Sequence, residues 1–301
     1  MTNSNNMKDN KVIGVDIGGS HITAGLVDIN EKKCPGKSLR RRSVNAFGSI
    51  EEIISTWATC IKEVSPVQEI GSGIGIAIPG PFNYKEGIAL VKDQGKYDVL
   101  YQQNVKIRLA HALDISADSI SFANDAASYL LGETACGAAK EAASAIGLTL
   151  GTGLGSARFH KGMAEDADLW CIPFKESIIE EYISTRWFVR SYHEKTGRII
   201  SGVKEMIEQS KDDTILELIF KEFAGNLAAF LGIFIKMDHP EVIVIGGNIA
   251  KAHHYFLPTL KIELEKYGCS IPIEISYLGE KATIVGAACN RYFQISDLRH
   301  C

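Results

Sequence analysis

One pattern occurs twice in this chain, and it constrains the fold more than any other feature. Lys11 to Asp16 is a short β-branched run that leads into Gly18-Gly19, and Ile22 to Asp28 alternates again beyond the turn. Further on, Ala145 to Leu150 is a second apolar run, Gly151-Thr152-Gly153-Leu154-Gly155 a second glycine turn, and Ser156 to His160 the return. A strand, a flexible turn and another strand read as a hairpin. Two copies of the unit indicate a duplicated α/β architecture rather than one doubly wound sheet. The 301 residues are enough for two domains with substantial cores. No low-complexity linker separates them, so the repeat places the boundary near Asp125, with an N-terminal α/β domain over 11–124 and a C-terminal one over 125–301. The terminal helix is expected to pack back on the N-terminal domain.

The segments between the hairpins follow simple periodicities. Ile50, Ile53, Ile54, Trp57, Ile61 and Val64 recur at helical spacing. Ile74, Ile76 and Ile78 alternate with small residues and stop at Pro79-Gly80-Pro81, a buried strand feeding a loop. Val105 to Leu113 reads as helix, Ile120 to Ala123 as strand and Ala126 to Glu133 as helix. The chain then reads as helical from Glu176 through Tyr192 and from Thr214 to Met237. Val242 to Ile245 is a buried strand ending in Gly246-Gly247-Asn248, followed by a strand over Ile271 to Tyr277 and a terminal helix from near Thr283.

Composition excludes several function classes. Hydrophobic residues at 46% and charged residues at 23% are ordinary for a globular chain. The formal net charge of −4 provides no global field toward nucleic acid or an anionic membrane. The one dense basic run, Arg40-Arg41-Arg42, reads as a solvated face before it reads as a phosphate patch. The polar N-terminus lacks the apolar core of a signal peptide, and the longest apolar stretch, Phe223 to Ile235, suits a buried helix rather than a membrane span. Seven cysteines without a C-x-x-C pair point to reduced thiols in the cytoplasm.

Four motifs carry chemistry. In Asp16-Ile17-Gly18-Gly19-Ser20, a turn with little side chain lets backbone N–H groups approach phosphate oxygens, and the preceding Asp is suited to hold Mg²⁺ through water. In the second turn, Gly151, Thr152 and Gly153 offer the same approach, with the Thr152 hydroxyl as an added donor. A dinucleotide-binding turn is excluded there because a strand follows, not a helix. Gly246, Gly247 and Asn248 after a buried strand leave a flat slot for an adenine ring or its ribose. Asn124-Asp125 ends a strand and begins a helix. Alone, Asp125 is a helix cap and each glycine turn a plain turn; three turns after three buried strands, with a carboxylate between two of them, is harder to assign to chance. No G-x-x-x-x-G-K-[ST] occurs, so a P-loop is absent. The pair His253-His254 reads as surface rather than metal site, and core packing, rather than a stacking platform, is the expected role for at least two of Trp170, Trp187 and Tyr182.

Together these residues resemble the ROK family (repressors, open reading frames and sugar kinases), within the hexokinase–actin–heat-shock-ATPase superfamily. The similarity runs from Val12-Ile13-Gly14-Val15-Asp16-Ile17-Gly18-Gly19 through Gly75-Ile76-Ala77-Ile78-Pro79-Gly80-Pro81, Asn124-Asp125-Ala126-Ala127 and Gly132-Glu133. It continues through Val242-Ile243-Val244-Ile245-Gly246-Gly247-Asn248-Ile249 to Gly286-Ala287-Ala288. The resemblance implies a two-domain actin-like (ribonuclease H-like) fold with duplicated mixed sheets, and ATP with Mg²⁺ in the cleft between the domains.

It further implies Asp125 as general base and Gly80, Asn124, Asp125, Asp168 and Glu180 at the sugar. Departures are concentrated in one segment. Ala167-Asp168-Leu169-Trp170-Cys171 stands where Gly-Glu-x-Gly-His is usual, and the cysteine cluster of zinc-containing members is missing, so no structural zinc is expected. Glu180-Glu181-Tyr182-Ile183-Ser184 resembles Glu-Ala-Tyr-Ala-Ser, making Glu180 the stronger sugar ligand. His21 stands where a Lys is frequent.

The implied activity is transfer of the γ-phosphate of ATP to a hexose, glucose at its 6-hydroxyl first and an N-acetylhexosamine second. A catalytically silent sugar-binding protein is the further alternative. The DNA-binding branch of the family carries a helix-turn-helix before the first phosphate turn, for which Asp16 lies too near the start, so no nucleic acid and no membrane are expected as partners. Homodimerisation enters by family analogy alone. The loop from Lys85 to Asn104 has no pattern that assigns it.

Overall fold

The structure, a computed structural model, describes residues 10–33, 36–66, 72–93, 95–210 and 213–299. The described chain divides into two compact units, one running to Lys140 and resuming at Glu280, the other from Glu141 to Gly279.

In the first unit β1 (Lys11–Ile17), β2 (His21–Asp28) and β3 (Arg40–Ser43) form an antiparallel meander. β4 (Ile74–Ile78) lies parallel to β1. A short hairpin of β5 (Phe82–Asn83) and β6 (Ile88–Ala89) follows, and β7 (Ile120–Asn124) lies parallel to β4, giving the order β3-β2-β1-β4-β7. Helix α1 (Ile50–Lys62) is capped by Ser49, whose hydroxyl accepts the Glu52 N–H at 3.2 Å. It buries Ile53, Ile54, Trp57 and Ile61 against the sheet, matching the spacing read from the sequence. Helix α2 (Val105–Leu113) precedes β7, and α3 (Asp125–Cys136) follows it directly.

The terminal helix, Glu280–Arg299, packs against α3 and the sheet of this same unit. Glycine makes the approach feasible. A β-carbon on Gly132 would strike the backbone oxygen of Ala282, and one on Gly286 the backbone oxygen of Ser128. The division of the chain therefore falls after α3, not before it as the repeat suggested. Asp125 opens a helix whose small-residue face is closed by the chain's own last helix, and that packing keeps both with the first sheet.

The second unit repeats the plan. β8 (Ser144–Leu150), β9 (Leu154–His160) and β10 (Met163–Asp166) form the meander, and β13 (Val242–Gly246) and β14 (Ile273–Ile275) extend it in parallel, in the order β10-β9-β8-β13-β14. β11 (Pro173–Phe174) and β12 (Ser177–Ile178) make a small hairpin. Helices α4 (Glu180–Ile183), α5 (Thr185–Thr196), α6 (Val203–Gln209), α7 (Asp213–Asp238) and α8 (His253–Glu265) complete the unit.

Three expectations change here. The single helix read from Glu176 to Tyr192 is a hairpin strand and two helices, broken where Ser184 is extended (φ −109°, ψ 173°). The break has a cause: the Thr185 N–H and hydroxyl both donate to the Gly151 carbonyl at 2.8 Å, which pulls the backbone out of helical register. The strand read over Ile271 to Tyr277 shortens to β14.

Finally, Thr214–Asp238 is long and apolar enough by length and composition to cross a membrane, where the sequence reading took Phe223 to Ile235 as the longest apolar stretch. Phe220, Phe223, Phe230 and Phe234 of that helix are fully buried against Phe188, Phe256 and the second sheet, the packing of a core helix.

Candidate active site

In the first unit the three parallel strands deliver the site residues at their carboxyl ends, where open α/β sheets bind ligands. Asp16 is level with Ala77 on β4, and Ile78 with Asn124 on β7, so Asp16, Pro79-Gly80 and Asn124-Asp125 emerge from one edge. Asn124, not Asp125, is the helix cap, its side-chain oxygen accepting the Ala127 N–H at 3.0 Å. Asp125 is the first helical residue, half-buried, with Oδ1 accepting the Ala126 N–H at 2.9 Å. The bland reading of Asp125 as a cap thus passes to its neighbour.

Asn124 also donates through Nδ2 to the Tyr84 hydroxyl at 3.3 Å, and that hydroxyl donates to the Ile78 carbonyl at 3.3 Å. Tyr84 ties the ends of β4 and β7 together. A β-carbon on Gly80 would stand 3.3 Å from the same hydroxyl, tight enough to disturb it.

Asp16 and Asp125 feel each other. The Asp16 pKa is pushed up to about 7, first by burial, then by the carboxylates of Asp125 and Glu280, with Arg41 opposing. Two interacting carboxylates beside a glycine turn favour a bound cation, and Mg²⁺ held through water fits that donor set. Among the described residues no three His, Cys, Asp or Glu side chains converge as a metal cluster.

The first glycine turn is tight: the Gly18 N–H donates to the His21 carbonyl at 2.9 Å, with Ile17 paired to Ile22. Ser20 at its tip is exposed. Arg41 on β3 forms an ion pair with Glu280 at the start of the terminal helix. His21 Nε2 lies 3.9 Å from the same carboxylate, and its pKa is lowered by burial and by Arg41, with Glu280 opposing. The segment that had no readable pattern supplies two more neighbours. The Tyr97 hydroxyl donates to the Gly18 carbonyl at 2.8 Å, and the Lys96 side chain lies along Gly19.

In the second unit the turn between β8 and β9 is braced from below. The Gly151 N–H donates to the Gly153 carbonyl at 3.0 Å, Thr185 holds the Gly151 carbonyl, and Glu180 Oε2 accepts the Leu154 N–H at 2.9 Å. Glu180 is also paired with Arg186. Gly246 on β13 is paired with Thr149 on β8, so the Gly246-Gly247-Asn248 turn emerges beside the second glycine turn. Gly247 has φ +87°, and a side chain there would meet the backbone of Leu150.

These turns open on a cavity of about 600 Å³ lined by Gly151, Thr152, Asn248, Lys251, His254 and Tyr255, among others. Asn248 is engaged there, its side-chain oxygen accepting Lys251 Nζ at 2.8 Å. Tyr255 stacks on Phe220 (4.8 Å, 9°), with His254 against its ring.

Asp168 stands apart from that cavity. It is exposed, has φ +50°, and accepts the Trp170 indole N–H at 2.8 Å, while the Trp170 carbonyl accepts the Glu180 N–H at 3.2 Å. Asp168 and Glu180 are thus linked through Trp170 rather than in contact. Trp187 is buried in the core, Tyr182 packs on Phe174, and Trp170 is 43% exposed, so only Trp170 presents an open aromatic face. His253 is bonded through Nδ1 to the Ala250 carbonyl. Cys60, Cys136, Cys171, Cys269 and Cys289 are free thiols, while Cys34 and Cys301 lie outside the described residues.

Two units, each a five-stranded sheet with an antiparallel meander, two parallel strands and a glycine turn after its first strand, define the actin-like ATPase fold. A ROK family glucokinase from Streptomyces griseus, solved with glucose and AMPPNP, superposes with a TM-score of 0.75 at 22% identity, covering 92% of this chain and 98% of its own. The ROK family's sequence profile matches residues 12–289, and the chain belongs to that family. Among characterised relatives, a Thermotoga maritima glucokinase is 25% identical over 315 residues, spanning 92% of this chain and 96% of its own. An N-acetyl-D-glucosamine kinase from Pectobacterium carotovorum is 23% identical over 279 residues, spanning 82% and 87%.

Proposed function

We propose that the chain is an ATP-dependent sugar kinase with Asp125 as its general base. The observation that carries this reading is the pair of neighbouring carboxylates, Asp16 and Asp125, at the carboxyl ends of parallel strands beside a glycine turn. Membership of the family and the names of the relatives support it.

Asp125 takes the proton of the acceptor hydroxyl as its oxygen bonds to the γ-phosphorus and the bond to the β-phosphate bridging oxygen breaks, releasing ADP. Asn124, held by Tyr84, orients a neighbouring hydroxyl, and Gly80 leaves room for the ring. The turns at Gly18, Gly19 and Ser20 and at Gly151, Thr152 and Gly153 hold phosphate oxygens through backbone N–H groups. Gly246, Gly247 and Asn248 border the adenosine. Asp16 would hold Mg²⁺ through water, and the ion would neutralise charge on the β- and γ-phosphates. Glu180, and less directly Asp168, border the sugar.

Glucose at its 6-hydroxyl is the first acceptor, and an N-acetylhexosamine the second, favoured by the Pectobacterium relative. The test is a panel of hexoses and acylated amino sugars with ATP and Mg²⁺, read as kcat/KM for each. Phosphoryl transfer to none of them defeats the kinase reading, and a preference for an acylated amino sugar replaces glucose.

A further inference from the structure

The first phosphate turn lies beside two carboxylates, and its own residues, Asp16 to Ser20, include no cationic side chain. A triphosphate brought to Gly18-Gly19 adds negative charge next to Asp16 and Asp125, so an ammonium or guanidinium at the turn would be worth most there. Among the described residues, Arg41, His21 and Lys96 bring cationic side chains to this region. Arg41 is committed to Glu280. His21 lies against the same carboxylate, and burial with Arg41 beside it disfavours its charged form. The third is Lys96.

Lys96 reaches the turn from the loop between β6 and α2. Its Nζ and Cδ each lie 3.2 Å from the point that a β-carbon on Gly19 would occupy, so the absence of a side chain at residue 19 gives this lysine its place. Its residue is exposed, and among the described residues its ammonium has no hydrogen bond or ion pair.

The neighbouring residue fixes the approach. Tyr97 is buried, donates its hydroxyl to the Gly18 carbonyl at 2.8 Å, donates its N–H to the Ala46 carbonyl at 2.8 Å and sets its ring edge-on to Trp57 at 5.6 Å. It does so with φ +59°, a conformation uncommon for a bulky residue and found where surrounding contacts impose it. A surface lysine of no consequence needs no such anchor.

We propose that Lys96 is the phosphate clamp of the first turn, its ammonium binding the terminal phosphoryl group of the donor nucleotide over Gly19. The inference rests on the kinase reading above and adds to it the residue that supplies positive charge at this turn. Tyr97 is the positioning residue that sets the lysine's direction.

The test uses the full chain and its Lys96→Met and Lys96→Arg variants, with binding of AMPPNP and of ADP measured by calorimetry alongside turnover on the best sugar. Lys96→Met is expected to lower kcat by about 10²-fold with the sugar KM changed less than about twofold. It should weaken AMPPNP by about tenfold and leave ADP nearly unchanged, with Lys96→Arg recovering most of both losses.

AMPPNP affinity and kcat within about twofold of wild type in Lys96→Met would overturn the proposal. So would a loss confined to the sugar KM, which would assign the ammonium to an anionic group on the acceptor. A wild-type chain that binds AMPPNP but phosphorylates no sugar would sink the kinase reading instead, leaving the AMPPNP comparison to judge Lys96 alone.

Discussion

The two glycine turns occupy the same place in two copies of one sheet, yet they are surrounded by different chemistry. The turn at Gly18-Gly19 is backed by charge: Asp16 just before it, Asp125 close enough to raise the Asp16 pKa, and the His21, Arg41 and Glu280 cluster nearby. The turn at Gly151–Gly155 is backed by shape: Thr185 and Glu180 brace its backbone, and it opens on a cavity with room for a flat ring. Under the proposed function, duplication supplied one device for holding phosphate oxygens, and the surrounding residues gave one copy reactive groups and the other a receptacle.

The largest effect should come from the charged copy. Asp125→Asn keeps the helix start intact, because Asn124 is the cap, and removes the proposed proton acceptor. It should lower kcat by roughly 10²–10⁴-fold with the thermal midpoint nearly unchanged. Near-normal turnover on the best sugar would remove Asp125 from the mechanism.

The next effect is structural and belongs to the first unit. Gly286→Ala drives a methyl group into the backbone of α3 at Ser128, so the two helix backbones must shift apart. A loss of about 3 kcal/mol in denaturant unfolding is expected. A stability within error of wild type would mean that the terminal helix does not pack as tightly as described.

A smaller effect distinguishes two roles for Glu180. Glu180→Gln keeps an oxygen for the Leu154 N–H, whereas Glu180→Ala removes the brace. If the brace is its role, Glu180→Ala raises the KM for ATP by about tenfold and Glu180→Gln stays close to wild type. If it binds sugar, both variants raise the sugar KM instead.

How much of this was legible in the sequence follows from how local each feature is. The hairpins, α1, α2 and the buried strands are set by periodicity within ten to fifteen residues, and the structure has them where the pattern implied. The break at Ser184 was not legible, because it is imposed by the Gly151 carbonyl, more than thirty residues away in the chain. The place of α3 depends on glycines in two helices that meet only in the fold.

The same holds at the site. Asp16, Asn124 and Asp125 carry motif signals. Tyr84, Lys96 and Tyr97 come from an irregular loop whose meaning lies in the backbone atoms it touches, and φ +59° at Tyr97 leaves no mark on composition. Glu280, which joins Arg41 to the site, begins a helix at the far end of the chain. Asp168 also carries a motif signal, and the structure adds the bond it accepts from the Trp170 indole N–H.

The smallest prediction returns to glycine, in the second unit. Gly225 lies in the middle of α7, and a β-carbon there would have no heavy atom within 4 Å. Its backbone is helical, so alanine adopts it without strain and loses less conformational entropy on folding. Gly225→Ala should stabilise the chain by about 0.5–1 kcal/mol, the opposite sign from Gly286→Ala. The same chemical change at two helical glycines thus separates a position that needs the missing side chain from one that does not. A measured destabilisation at Gly225 would mean that the open space beside α7 is filled in solution, and a second copy of the chain would be the first occupant to test by sedimentation.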